Sequence, residues 1–436
     1  MQLALDTEEP RTAGSSFWRS PAAWLREKNL SSSYWQFFNA AFFFDSGFSV
    51  YVFLFNLYLL DFHFNERAIG LINGALTLGS VVGTLPVGAL GRRFGVRPLL
   101  LFCFVAAPLL GIARTLWMWE PAQIALAFLA GLAMSTWGVS FLPAVARLTT
   151  VANRTAAMSL IFSVGVGSSA LGGAICGYLP QWLRAAGLSM QPFAVKRLIL
   201  IASSAIAAAG IFAVLRLRMP PATDESAPEQ TLPDKFVWLR GFHLNPFLWR
   251  FLLSMALWTI IIAAFAPFAN VYLARDLHIP LVRIGLIFSV AQIFQLLSGF
   301  FIPYVLRKLG MLNGILATQL AAALTLAAMA TATHQPLAIA LYLTYSAAQW
   351  MSAPGLYNLL MNETPDAERS TAAAMTMFTN ALVSSAATVV AGILFTKFGY
   401  THVLVAIAAS AAGVGLLSRL LFSGHNLTSS PARQSR

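Results

Sequence analysis

Asn56-Leu57-Tyr58-Leu59, followed by His63 and Ile69-Gly70-Leu71-Ile72, reads a second time as Asn270-Val271-Tyr272-Leu273, His278 and Ile284-Gly285-Leu286-Ile287. Asn56 and Asn270 stand 214 residues apart, and Ile69 and Ile284 stand 215 apart. Outward from this stretch the register holds. Arg92-Arg93-Phe94-Gly95 recurs 215 residues on as Arg307-Lys308-Leu309-Gly310, and Arg154 is matched by Arg369 at the same distance. Matches in one register over so much chain define an internal repeat of about half the protein, so one architecture is used twice.

What is repeated follows from composition. Of 436 residues, 58% are hydrophobic and 10% charged. Soluble domains run at roughly 45–50% apolar and about 25% charged, so this surface does not face water alone. A soluble enzyme, a disordered chain and a small secreted domain are excluded. A bilayer core of about 30 Å takes roughly 20 apolar residues per helix, and twelve segments qualify. They fall near 34–60, 69–90, 98–117, 122–146, 156–182 and 195–217, then near 248–273, 284–306, 313–331, 336–361, 371–396 and 401–422. The division expected is a tail over 1–33, a six-helix bundle over 34–217, a polar linker over 218–247, a second bundle over 248–422 and a tail over 423–436. Trp18 and Trp24, set among Arg11, Arg19, Arg26 and Lys28, read as a short interfacial segment. Six helices per half is an even number, so both halves enter the membrane in the same sense.

The formal charge of +12 would point to nucleic acid in a soluble protein, whereas here it reports topology. With both termini on the cytoplasmic face, 20 of the 28 Lys and Arg residues fall inside and 8 outside. The chain is therefore read as an integral protein of the cytoplasmic membrane, a monomer touching anionic lipid at its inner face, with no nucleic-acid partner. Cys103 and Cys176 lie in apolar runs without metal-type spacing, so neither a metal nor a cofactor is expected.

With these features the chain resembles the major facilitator superfamily over residues 34–422. Gly88-Ala89-Leu90-Gly91-Arg92-Arg93-Phe94-Gly95-Val96-Arg97 stands where that family carries Gly-x-x-x-Asp-Arg-x-Gly-x-Arg. The glycines and the basic positions Arg93 and Arg97 match, while Arg92 replaces the usual acid. The resemblance implies an all-α fold of two pseudo-symmetric six-helix bundles with substrate held between them near the midplane. It also implies a gating role for Gly88, Arg92, Arg93, Gly95, Arg97, Arg307 and Lys308. Two signatures of the family's drug–proton antiporters are incomplete. Ala127 stands where their fourth helix carries Arg, and Ser168-Ser169-Ala170-Leu171-Gly172-Gly173 lacks the proline of their fifth.

Polar residues sort by helix. Predicted helices 3, 6, 9 and 12 carry mainly small Ser, Thr and Gly inside, as outer supports of a central cavity would, with Gln319 the main exception. Asp45 is the one carboxylate well inside the hydrocarbon. An ionisable group there costs at least about 2.5–3.5 kcal/mol on the insertion scale, so it is read as the proton-coupling residue rather than as a structural acid. Ser49 and Asn56 share its helical face. The repeat sets Thr259 opposite Asp45 and Asn270 opposite Asn56. Tyr342, Tyr345 and Gln349 fall on one face of predicted helix 10. Gln292 and Gln295 lie on helix 8 and Asn380 on helix 11. Helix 4 offers Ser135 and Trp137 on different faces, and Trp137 is taken as the cavity ring. Arg114, near the outer end of helix 3, is read as snorkelling to the interface.

These residues describe a cavity of uncharged hydrogen-bonding groups and rings. The function expected is secondary active transport of a small organic molecule by alternating access, driven by the proton gradient, with export of a lipophilic, cationic or neutral compound. The alternative is uptake of a neutral nutrient such as a sugar or a cell-wall fragment. An intramembrane enzyme would need clustered catalytic groups at membrane depth, and a lone Asp45 does not supply them.

Overall fold

The computed structural model of the chain describes residues 30–187, 191–219, 246–332, 334–364 and 368–423. The interfacial segment expected around Trp18 and Trp24, most of the linker and the C-terminal tail lie outside the described residues. The first half comprises α1 (Ser32–Asp61), α2 (Glu66–Phe94), α3 (Val96–Leu116), α4 (Glu120–Leu148), α5 (Val151–Ala185) and α6 (Pro192–Ala209, continued past Gly210 as Ile211–Arg216). The second comprises α7 (Pro246–Phe265 with a short-turned extension to Asp276), α8 (Leu281–Leu309), α9 (Met311–Ala330), α10 (Gln335–Glu363), α11 (369–398) and α12 (400–423).

Ten of these stretches are long and apolar enough to cross a membrane by themselves. The last of the ten, Ala372–Ser423, holds two crossings. Its 52 residues would make a straight helix of about 78 Å, more than twice the hydrocarbon thickness. Gly399, at φ 72°, turns the chain between α11 and α12. Gln335–Glu363, at 29 residues, matches the crossing helices in length, but Gln335, Tyr342, Tyr345, Gln349 and Asn358 lower its apolar content; with it the helices are consistent with the twelve expected from sequence. No strand occurs among the described residues.

The repeat is written into the backbone. Gly95 and Gly310, at φ 82° and 79°, separate α2 from α3 and α8 from α9. His63 and His278 are the two non-glycine residues with positive φ among the described residues, and they end α1 and α7. A left-handed residue is a common way to close a helix, and a bulky one is unusual enough that its repetition is informative.

One asymmetry separates α1 from α7. The helix α1 runs unbroken from Ser31, whose hydroxyl accepts from Tyr34 N at 3.1 Å, to Asp61. The matching part of α7 is interrupted: Ala266–Phe268 form a 3₁₀ turn and Tyr272–Asp276 a π-helical turn. Pro267 has no N–H to continue the ladder, so the helix tightens there and rewinds wider beyond. Its carbonyl, freed from the regular pattern, accepts from Asn56 Nδ2 at 2.8 Å. Asn270 Nδ2 in turn donates to Phe53 O at 2.8 Å. Positions 53 and 267, like 56 and 270, are 214 apart, so the two bonds are mates under the pseudo-two-fold axis.

Glycines set the remaining contacts between halves. A Cβ on Gly70 would stand 2.9 Å from Thr388 O, and one on Gly285 would overlap Gly173 O. Ser385 Oγ donates to Gly74 O at 2.8 Å, and Ser289 Oγ donates to Ala170 O. These seams, α2 on α11 and α5 on α8, exchange under the 215-residue repeat. Both lie toward the helix ends remote from the chain termini, and they seal that side. Toward the termini the same helices carry exposed side chains, among them Phe162 and Met377.

Candidate substrate cavity

Beneath the sealed side lies a cavity of about 250 Å³ inside the first half. Residues of α1, α2, α3, α4 and α6 line it, and Pro267, Ser384 and Thr388 of the second half close it. A second lobe of about 290 Å³ lies between the halves, lined by Ser49, Phe53, Asn56, Ser169, Asn270, Phe288 and Gln292. Phe48, Val52, Asn56 and Pro267 border both lobes.

Four residues singled out from sequence therefore meet in one place: Ser49, Asn56, Asn270 and Gln292. Ser49 Oγ lies 3.2 Å from Ser169 Oγ. Asn56 also accepts from Asn73 Nδ2 at 3.2 Å, which draws α2 into the site. Other candidates stand elsewhere. Trp137 packs in an aromatic cluster with Phe37, Phe44, Phe104 and Phe141 and lines neither lobe. Tyr342 lies against Phe288 and Tyr345 against Phe265, both buried. Gln295 donates to Ser346 Oγ at 2.6 Å. Tyr345 Oη, Gln349 Oε1 and Asn380 Oδ1 are buried without a hydrogen-bond partner, and Thr259 is half-buried on α7.

Asp45 is half-buried in the middle of α1 and faces α5, where a Cβ on Gly165 would lie 3.8 Å from its Oδ2. Its neighbour Ser46 lies 3.0 Å from Ser168 through the hydroxyls. The Asp45 carboxylate carries no hydrogen bond or ion pair to the described residues.

Arg114 departs from its expected place. It does not snorkel: the residue is 5% exposed, and its guanidinium carbon stands 4.2 Å from the Phe55 ring centroid and 6.0 Å from that of Tyr51. The reason is directional. Helix side chains lean toward the helix N-terminus, so an arginine in the last turn of α3 is aimed back into the bundle. The last turn also carries the negative end of the helix dipole, which favours a cation. Gln123 Nε2 fixes this helix end by donating to Arg114 O and Trp117 O, each at 2.5 Å. With Arg114 on α3, and Ser203 and Ser204 on α6, lining the first lobe, the reading of every third helix as a bland support is corrected for this half.

At the loop between α2 and α3, Arg97 Nη2 donates to Leu215 O at 2.6 Å and so caps α6 of its own half. Arg93 lies over the Phe94 ring at 5.2 Å. Gly88 has open space around it, Gly95 makes the turn, and Arg307 and Lys308 are exposed. The side chain of Arg92 lies outside the described residues. No group of three or more metal-ligating side chains occurs among the described residues.

Two related six-helix halves enclosing a cavity between and within them define an integral membrane protein of the transporter class. The Major Facilitator Superfamily family model matches residues 37–388, and the chain belongs to that family. The fold is similar to that of the nucleoside transporter NupG, with TM-score 0.74, 16% identity and coverage of 91% of this chain and 100% of that one. It is likewise similar to a D-xylose–proton symporter at TM-score 0.69, 14% identity and coverage of 88% and 96%. A bacterial homologue of the human lysosomal transporter Spinster, in an inward-facing and unoccupied conformation, follows at 0.66, 14%, 90% and 95%. No curated protein matches the chain.

Proposed function

We propose that the chain is a proton-coupled secondary transporter that moves a small organic molecule across the cytoplasmic membrane by alternating access, with Asp45 carrying the proton and both termini cytoplasmic. The observation that carries the coupling role is the isolation of Asp45: a mid-membrane carboxylate with no hydrogen bond or ion pair to the described residues is expensive to keep unless it gains and loses a proton in the cycle. Alternating access is supported by the mirrored seams, since two repeat-related contacts can open together as one half rocks on the other.

The walls of the first lobe are chiefly apolar, which favours a lipophilic cargo. A lipophilic compound crosses a bilayer inward unaided, so a dedicated carrier gains most by expelling it; export is the direction proposed. A cationic cargo is set aside, because a cation in that lobe would face the Arg114 guanidinium. The second reading, uptake of a neutral polar nutrient, is favoured by the unpartnered polar atoms of Tyr345, Gln349 and Asn380 in the other half.

The coupling role is tested in proteoliposomes with an imposed pH gradient. Wild type concentrates substrate against its own gradient, whereas Asp45→Asn only equilibrates it. If Asp45→Asn still drives accumulation, the proton is carried elsewhere.

A further inference from the structure

Among the described residues that line the first lobe, Arg114 is the one charged side chain, and its needs are left unmet. Tyr51 Oη donates to Gly111 O at 2.9 Å. Ser204 Oγ donates to Leu200 O at 3.0 Å. Asn56 Nδ2 is held by Pro267 O, and Asn73 Nδ2 donates to both Asn56 Oδ1 and Ile69 O. Against these stands Arg114, whose Nε is buried with no hydrogen-bond partner and whose guanidinium has no carboxylate within ion-pair distance among the described residues. A buried guanidinium without an anion is costly, and completing its pair restores charge-assisted hydrogen bonds. Its stacking on Phe55 and the dipole at the end of α3 hold it in place without neutralising it.

The rest of the wall states what the anion is attached to. A polyhydroxylated ligand would find most of the donors already used, the Ser384 hydroxyl excepted, whereas Phe44, Phe48, Phe55 and Met134 offer apolar contact. An apolar cavity of about 150 Å³ accepts benzene, so about 250 Å³ has room for one ring with a short acidic arm.

We propose that this lobe is the binding site of an organic monoanion, a carboxylate on an apolar or aromatic body, with Arg114 pairing the acid group and the aromatic wall of α1 taking the body. The proposal rests on the reading of the chain as a carrier of a small organic molecule and gives that molecule its chemical class.

The test uses the full chain in lipid nanodiscs and three carboxylates, benzoate, 3-phenylpropanoate and hexanoate, each set beside its own primary amide. At least one acid is expected to raise Tm and to bind at least about ten-fold tighter than its amide. In Arg114→Gln that preference falls to within about two-fold, and Arg114→Lys keeps part of it. If no acid outbinds its amide, or the preference survives in Arg114→Gln, the site assignment is overturned. Arg114→Met separates a ligand role from a packing one. Removing an unpaired buried charge leaves ligand-free Tm unchanged or raised, while a fall of more than a few degrees in both Arg114→Met and Arg114→Gln would make Arg114 structural and overturn the proposal.

Counterflow of the best-bound radiolabelled acid in proteoliposomes distinguishes the two levels. Binding of the acid without counterflow removes the transport reading and leaves the site. Counterflow of neutral probes alone, with no acid bound, leaves transport and removes the site.

Discussion

The two seams that seal one side of the molecule are related by the repeat, yet they are not equally strong. At both, a glycine lets helix backbones touch: Gly70 and Gly392 on α2 and α11, Gly285 and Gly173 on α8 and α5. Only the first adds charge. Arg275 Nη1 reaches Glu66 Oε1 and Oε2, each at 3.1 Å, Tyr400 Oη donates to Glu66 Oε1 at 3.4 Å, and Arg67 N donates to Thr396 Oγ1 at 2.9 Å. The position equivalent to Glu66 in the second half is Leu281, and among the described residues the α5–α8 seam shows close packing and the one serine bond. The repeat supplies the shared geometry, and the α2–α11 seam adds an electrostatic clasp to it. When the halves rock apart, the clasped seam should resist the opening more than the packed one.

The sharpest way to break both seams is to deny their close approach. Gly285→Val would drive a side chain into Gly173 O, and Gly392→Val would drive one into Glu66 O, where a Cβ would already stand 2.5 Å away. Backbone cannot yield as a flexible side chain can, so each variant is expected to hold this side open and to lower transport by more than about ten-fold. Spin labels near Asn65 and Thr396 for Gly392→Val, and near their repeat equivalents Pro280 and Gln181 for Gly285→Val, would report the opening as a longer inter-label distance. Unchanged distances in either variant would mean that the seam is not the closing contact.

The seams also show how much the sequence makes legible. The two-fold repeat could be read from Asn56, His63 and Gly70 against Asn270, His278 and Gly285, because a repeated backbone solution keeps the residues that solve it. The small residues were visible as packing positions, but which helix each one touched required the fold. Asn56, Asn270, Ser49 and Gln292 were legible as cavity residues because a strong polar group on a membrane helix has few other places to go. Trp137 was misplaced for the opposite reason: a ring satisfies its surroundings equally well in an aromatic cluster. Arg114 was within reach of the sequence. Its place in the last turn of α3 already fixed the direction of its side chain, and depth in the membrane was the wrong quantity to weigh.

The clasp can be weakened without touching the packing. Glu66→Gln keeps the shape of the side chain and removes the charge that Arg275 and Tyr400 share. The Glu66 side chain is 7% exposed but that of Arg275 is 54% exposed, so the pair is screened and contributes about 0.5–1 kcal/mol. The open population should rise about two- to five-fold, and Arg275→Ala added to Glu66→Gln should change little further. High salt should mimic the substitution in wild type and do nothing in the variant. An additive double variant would show that the two residues act separately, and would return the two seams to equal strength.

The last pair of substitutions tests the symmetry itself. Asn56→Ala removes the bond to Pro267 O, and Asn270→Ala removes its mate to Phe53 O. Side-chain hydrogen bonds inside membranes average about 0.6 kcal/mol, so each loss should shift the closed population about three-fold. The two shifts should not be identical. Asn56 also accepts from Asn73 at 3.2 Å, while among the described residues Asn270 Oδ1 accepts only from its neighbour Val271 N at 2.9 Å. Asn56→Ala leaves Asn73 without that acceptor inside the first lobe and should cost more, by up to about two-fold in the same distance measurement. Equal shifts would mean that Asn73 finds another partner. A larger shift from Asn270→Ala would place the dominant link between the halves at the broken helix α7 rather than at the continuous α1.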